Sequence, residues 1–515
     1  MVIDWRKSTA ILVLGLALSA RQATAAVSPV VFWASDPVGP GEIVLVQGGN
    51  WGETPTVEVN WLADGKPGSP GAVATTAARK SETVRPLQVN SGTLKFLVPP
   101  AWKPGVYAFT VQAGAAESAP WLLNAPQAWW LQGDWGAEAS PGGWLRVLGH
   151  GLSENGKAQV VLRAGGKDLP ITPQPQDQWS LTVPLPASLA AGEYEVWVHN
   201  GAGGPGAWSQ AGKLTVKAHP PVWKSQVFNI RDYGAVSDDA FENTVAIQAA
   251  LDAAGKNGGG IVSVPAGRYQ VKGTLTLPPH VLLQGESPEL SMLYWRDRMT
   301  PLPTLIQGTN NFGVQDLSIY ASNHIEGITS DASQPGAGNI FLHNVHLRMD
   351  RYVQIHPDAF ANLEIMRRTT GWDFALHLSG ENVQVTDCEV YSSCSPFNLA
   401  GPHVLVRHNR FWAGRFGSWV VGGPNMICED NEMIGADNQA WGGADYAGGY
   451  LYFARNKIGP GLGGDREQMT TDGGGNGYEG HVASAQDTTI TLPADLRWGH
   501  DRNWLDRQPG VFIVQ

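Results

Sequence analysis

The sequence predicts an all-β protein, with two β-sandwich domains followed by a parallel β-solenoid. Three observations lead there. Of 515 residues, 63 are glycine and 35 proline, and only 16% are charged, which disfavours long charged helices and favours a chain rich in turns. Before residue 218, apolar and polar residues alternate with period two between Gly/Pro turns. After residue 300, short β-branched segments recur at a period in the twenties.

Residues 1–25 have the layout of a secretory signal. Trp5-Arg6-Lys7 is followed by an apolar run from Ala10 to Ala20 and by small residues at Ala23-Thr24-Ala25. The expected location is therefore extracellular or periplasmic. That run is too short to span a bilayer as a mature helix, and no later stretch is long and apolar enough. Three cysteines, Cys388, Cys394 and Cys428, are too few and too odd in number for a disulfide framework. No Cys/His cluster has zinc spacing, so the cysteines read as small buried hydrophobes. A net charge of -11 with no offsetting basic tract argues against nucleic acid as the main partner.

Two modules are expected over 26–124 and 125–218. "PGEIVLVQGGNWG" from Pro40 and "PGGWLRVLGHGLS" from Pro141 share a Pro-Gly turn, alternation and a following glycine. "LKFLVPPAWKPGVYAFTV" and "WSLTVPLPASLAAGEYEVWV" match in the same way. Such alternation at short spacing predicts β-sandwiches. With "VHNG" at Val198–Gly201, the pattern resembles immunoglobulin-like IPT/TIG modules. The resemblance implies spacer or binding domains, and the tryptophans read as core.

"KAHPPVWKSQ" (Lys217–Gln226) is a linker, and the solenoid is expected from 226 to 515. In "NTVAIQAALDAA", Val245, Ile247, Ala250 and Leu251 predict an amphipathic helix that covers the open first coil. "FNIRDYGA", the acidic pair Asp238-Asp239, this helix, "GGGIVSVPAGRY" and "LLQGES" together resemble the opening of the pectate-lyase/polygalacturonase superfamily. The resemblance covers about 60 residues and implies a right-handed parallel β-helix. It specifies the fold more than the reaction.

Further on, "ENVQVTDCEV", "PHVLVRHNRF", "PNMICEDNEM" and "GYLYFARNKI" align without gaps. Their seventh residues, Asp387, His408, Asp430 and Arg455, lie 21, 22 and 25 apart. One coil per period stacks Cys388, Asn409, Asn431 and Asn456 in the next column, where asparagines can hydrogen-bond neighbouring coils. The same register puts Glu389, Arg410, Glu432 and Lys457 in one column, about 4.8 Å apart. Alternating charge at that spacing is a structural ladder.

The short segments before each repeat, "WDFALHLSG", "SPFNLAG", "GSWVVGG", "GADYAGG" and "REQMTTDGGG", align on their closing glycines and predict a second stacked sheet. "DFALHLSGENVQV" resembles the polygalacturonase strand opened by an Asp-Asp pair, with Asp373 in the second position and Trp372 replacing the first. The Gly-His-Gly and Arg-x-Lys motifs of that family are missing, so its activity is not carried over. Even so, turns and strand starts along this sheet would form one groove. It would gather Asp373, Asp445, Asp465, Glu467 and Asp472 as candidate catalytic carboxylates. Arg466, His377, Asn398, Trp441 and Tyr446 are candidate substrate contacts. Glycosidic cleavage needs one protonated and one ionised carboxyl group, and crowding raises one pKa. The acidic loop could equally be an Arg-braced turn or a calcium site. No cofactor is expected, and calcium is the one metal considered.

The expected function is a secreted glycoside hydrolase acting on a polysaccharide. A polysaccharide lyase and a non-enzymatic surface adhesin are the alternatives, because one fold hosts many reactions. The last strand, Val511 to Val514, has no cap after it, so the natural chain is expected to continue.

Overall fold

Alternation drives both N-terminal modules, and the structure shows which phase faces inward. The computed structural model describes residues 28–71, 78–154, 156–219, 222–296, 298, 300–322, 324–330, 338–350, 374–392, 395–413, 420–422, 425–434, 449–458, 480–486 and 489–490. They divide into two units.

The first unit, residues 28–63 and 78–124, pairs a four-stranded with a five-stranded antiparallel sheet. Val44, Val46, Leu94 and Phe96 of one sheet meet Val57, Val59, Phe109 and Val111 of the other, all fully buried. The Tyr107 hydroxyl donates to the Lys103 carbonyl at 2.7 Å. The second module opens the second unit with a three-stranded and a five-stranded sheet. Its core joins Leu145, Val147, Leu181 and Val183 to Val160, Leu162, Val196 and Val198. Its Tyr194 hydroxyl donates to the Ala190 carbonyl at 2.8 Å. Both bonds are tyrosine corners of the kind immunoglobulin-type sandwiches use.

From Val227 the chain is a parallel β-helix. Each coil runs through three strands. The first face holds strands such as Glu381–Thr386, Val404–Arg407 and Met426–Glu429. The second holds Glu389–Ser392, Arg410–Ala413 and Glu432–Ile434. The third is a six-stranded sheet that includes Phe374–Ser379, Ser395–Ala400 and Val420–Gly422. The closing glycines of the third face are conformational. Gly380 and Gly401 have φ of 142° and 117°, and a Cβ on Gly401 would lie 2.2 Å from the Gly380 carbonyl oxygen.

The first and second faces meet at a bend whose residue is left-handed in every repeat. Asp387, His408, Asp430 and Arg455 have φ between 53° and 57°. The next column stacks as expected. Asn409 Nδ2 donates to Asn431 Oδ1 at 3.0 Å, and Asn431 Nδ2 to Asn456 Oδ1 at 2.9 Å. These oxygens also accept backbone N–H groups of the preceding coils, at Asn409 and Asn431. The ladder thereby satisfies polar backbone that the bend leaves without sheet partners. Glu389, Arg410, Glu432 and Lys457 share one register, with Arg410 3.1 Å from Glu432. Cys388 and Cys428 are free and buried, while Cys394 lies outside the described residues.

The helix Thr244–Lys256 packs over the first coils. One residue of its expected apolar face is corrected. Val245 is 78% exposed, and the buried stripe is Ala246, Ile247, Ala250, Leu251 and Ala254. Val245 stands two places before Ile247, and residues two apart do not share a helix face. No helix among the described residues is long and apolar enough to cross a membrane.

The second module lies against the first face of the solenoid. Trp130 and Leu148 of its three-stranded sheet bury with Leu405, Ile427, Tyr452 and Ala454. Arg146 makes a bidentate pair with Glu429, at 2.8 and 3.1 Å, and donates to Ser180 Oγ. Arg455 reaches the same carboxylate at 2.8 Å. Burial alone would raise the Glu429 pKa, but Arg146 and Arg455 bring it down to about 2.

Candidate active site

The third face carries the functional groups that the described residues bring together. Leu376, Leu378, Phe397 and Leu399 point into the solenoid core, so period two turns His377 and Asn398 outward. They are direct cross-strand neighbours, with Thr329 in the preceding coil and Gln307 before it. Gln307 is exposed, Thr329 buried, and His377 and Asn398 half-buried.

His377 does not stand alone. Its Nδ1 lies 2.6 Å from Glu326 Oε1, a carboxylate of the neighbouring coil. This hydrogen bond raises the His377 pKa, outweighing the opposing effect of burial. Imidazolium thus persists to higher pH than in free histidine. The Phe374 ring lies 5.5 Å from the imidazole at 59° and gives it an apolar flank. The Ser379 amide donates to Ser330 Oγ at 2.7 Å, tying the ends of the two strands that carry His377 and Glu326. The result is a hydrogen-bonded imidazole–carboxylate pair on a partly exposed sheet, with an amide beside it. It keeps its proton to higher pH than a free histidine and can bind an anionic or hydroxyl-rich group.

Sequence reasoning placed His377 and Asn398 on this sheet and missed Glu326. The usable signal was "EGITS", a short strand that aligns with "FALHLS" and so puts a carboxylate one coil below. Asp373, Asp445, Asp465, Arg466, Glu467, Asp472, Trp441 and Tyr446 lie outside the described residues. Among the described residues, no cluster of three or more His, Cys, Asp or Glu could hold a metal ion. The loop considered for calcium lies outside them.

Residues 227–354 match the family model "Rhamnogalacturonase A/epimerase, pectate lyase-like", so this segment is a pectate lyase-like domain. Mannuronan C5-epimerase AlgE3 of Azotobacter vinelandii is 37% identical over 105 residues, covering 18% of this chain and 6% of the relative. Alginate lyase 7 of the same organism is 33% identical over 105 residues, covering 18% and 12%. The matched segment thus spans a small part of these relatives' own length. Among solved structures, the A-module of A. vinelandii mannuronan C-5 epimerase AlgE4 aligns at 16% identity with a TM-score of 0.28. That alignment covers 52% of this chain and 89% of that one.

Proposed function

We propose that this chain, with its pectate lyase-like segment, is an enzyme acting on an acidic polysaccharide at the C5–H bond of a uronate. The observation that carries the reading is the 2.6 Å His377–Glu326 bond on the third face. A C5 proton beside an ionised carboxylate is hard to remove, because its loss adds negative charge next to negative charge. A protonated imidazole at that carboxylate offsets the charge that develops, which is the electrostatic role such preformed groups play in catalysis. Glu326 keeps His377 protonated, and Asn398 orients the sugar. The base is proposed among the candidate carboxylates Asp373, Asp445, Asp465, Glu467 and Asp472. The relatives named for mannuronan and alginate act on polyuronates, which supports the substrate class. Two outcomes share this start. With the first proton left on the base, delivery of a solvent-derived proton to the opposite face of C5 inverts that centre. Expelling the C4 oxygen, which takes up a proton, leaves a C4=C5 double bond and cuts the chain.

Glycoside hydrolysis is the second reading, favoured by the three carboxylates of Gly463–Gly475. It would require two carboxyl groups about 5–5.5 Å or 6.5–9.5 Å apart. Products separate the readings. Inversion in D2O puts deuterium at C5 without shortening the polymer. Elimination creates an ultraviolet-absorbing end, hydrolysis creates reducing ends without one, and an adhesin creates none of these.

His377→Ala should lower turnover on a polyuronate by about 10²–10³-fold with the fold intact by thermal melt; near wild-type turnover would remove His377 from the site. The pH dependence has a definite sign. The active cation is lost as pH rises through the raised His377 pKa, so activity falls on the alkaline side. In Glu326→Gln the cause of the raised value is gone, and that alkaline limb should move to lower pH.

A further inference from the structure

The geometry points to a glycan-binding track on the second face of the solenoid, separate from the His377 site on the third. It rests on the reading that the substrate is an acidic polysaccharide. The register puts Tyr294, Tyr320, Arg348, Tyr391 and Trp412 in one row, each the direct neighbour of the next across successive coils. Their chain neighbours Leu293, Ile319, Leu347, Val390 and Phe411 are buried, so the row faces outward. Tyr320 is 36% exposed and Arg348 is exposed.

A purely structural aromatic ladder would pack ring on ring. Here three of the four rings, Tyr294, Tyr391 and Trp412, meet guanidinium groups. Arg348 lies 5.0 Å over Tyr391, and Arg410 lies 4.3 Å over Trp412. Arg296 lies 6.0 Å over Tyr294. The flanking column of Glu389, Arg410, Glu432 and Lys457 is charge-balanced, so the row's own formal charge comes from Arg348.

An extended sugar chain fits this row. Aromatic rings take the apolar C–H faces of pyranoses, and guanidinium groups bind carboxylates and hydroxyls with directed donors. Successive coils repeat at about 4.8 Å, comparable to the length of one pyranose in a linear chain. A polyuronate lying along the solenoid axis would therefore meet one member of the row per sugar. The strands Glu389–Ser392 and Ser395–Ala400 follow one another on the second and third faces, so the track would hold another stretch of the polymer whose reacting unit lies at His377.

Affinity electrophoresis of the full chain through gels containing alginate, polygalacturonate or a neutral β-glucan tests this. Retardation is expected in a polyuronate gel and not in the neutral one. The Tyr391→Ala/Trp412→Ala double variant should bind roughly tenfold more weakly, while its turnover on a short uronate oligosaccharide stays unchanged. Arg348→Gln, at an exposed position, gives a second variant should the double variant unfold. His377→Ala should be retarded like the native chain, whereas a native chain that is retarded but turns over no polyuronate keeps the track and loses the enzymatic reading. Undiminished retardation in both stripe variants overturns the track, as does retardation by the neutral glucan alone. Dimers in sedimentation that the double variant abolishes would overturn it too, by assigning the row to a second copy of the chain.

Discussion

Ile43, Leu45 and Gln47 of the first module occupy the positions that Trp144, Arg146 and Leu148 occupy in the second. Between them, Val44 and Val46 correspond to Leu145 and Val147, and all four are fully buried. The strand before each pair also matches. Trp33 sits opposite Gln47 after a bulge, and Trp130 sits opposite Leu148 after a bulge. The inward phase is therefore the same in both modules, and the outward phase is not. Trp130 is 5% exposed on the solenoid, whereas Trp33 is 46% exposed and Ile43 51%. A sandwich needs its inward residues to exist at all, but its outward residues answer only to whatever lies against them. Arg146 shows the consequence. It occupies a position where a sandwich alone would keep its charge in water, and it is buried because Glu429 meets it.

Removing the Glu429 charge tests that burial. Glu429→Gln leaves the Arg146 guanidinium buried without its carboxylate, which should cost about 3–5 kcal/mol, measured by urea unfolding. The pair also sets an acid limit. The Glu429 pKa falls from its ordinary 4.5 to about 2, so its stabilisation is complete above 4.5 and is lost as pH drops towards 2. An unchanged unfolding midpoint in Glu429→Gln would mean that the second module does not depend on this contact.

Two tryptophans at equivalent positions of the modules should respond differently to truncation. Trp130→Ala removes a buried ring and should cost about 3–5 kcal/mol, whereas Trp33→Ala should stay within about 0.5 kcal/mol. Equal losses in the two melts would contradict the difference drawn between the modules.

A smaller effect contrasts two columns of the solenoid itself. Asn431→Ala breaks the buried ladder and strands the Asn409 N–H and the Val406 carbonyl of the preceding coil, at about 1–3 kcal/mol. Glu432→Gln, one residue later, removes an exposed partner of Arg410 and should cost about 0–1 kcal/mol. Adjacent residues thus differ several-fold in denaturation midpoint shift because one points into the bend and the other into water.

Legibility of the site followed the regularity of the coils. His377 and Asn398 could be placed because their strands are 21 residues apart and end on equivalent glycines. Glu326 could not, because Ile328 pairs with Leu376, 48 residues on. That spacing hides the period, so the likeness of "EGITS" to "FALHLS" shows only once the strands are paired.

The repeat period, the asparagine column, the charge ladder and the alternation of both modules are written in the chain, because each depends on spacing along a strand or between coils of fixed pitch. The left-handed bends at Asp387, His408, Asp430 and Arg455 are half legible. Aspartate and histidine tolerate that conformation, but arginine gives no such hint and adopts it through the register of the stack. The Glu326–His377 pair, the Arg146–Glu429 contact and the row from Tyr294 to Trp412 were decided by tertiary structure alone. Each joins groups separated by a coil, a loop or a whole module, and side chains so far apart in sequence become neighbours only when the coils stack and the second module closes on them.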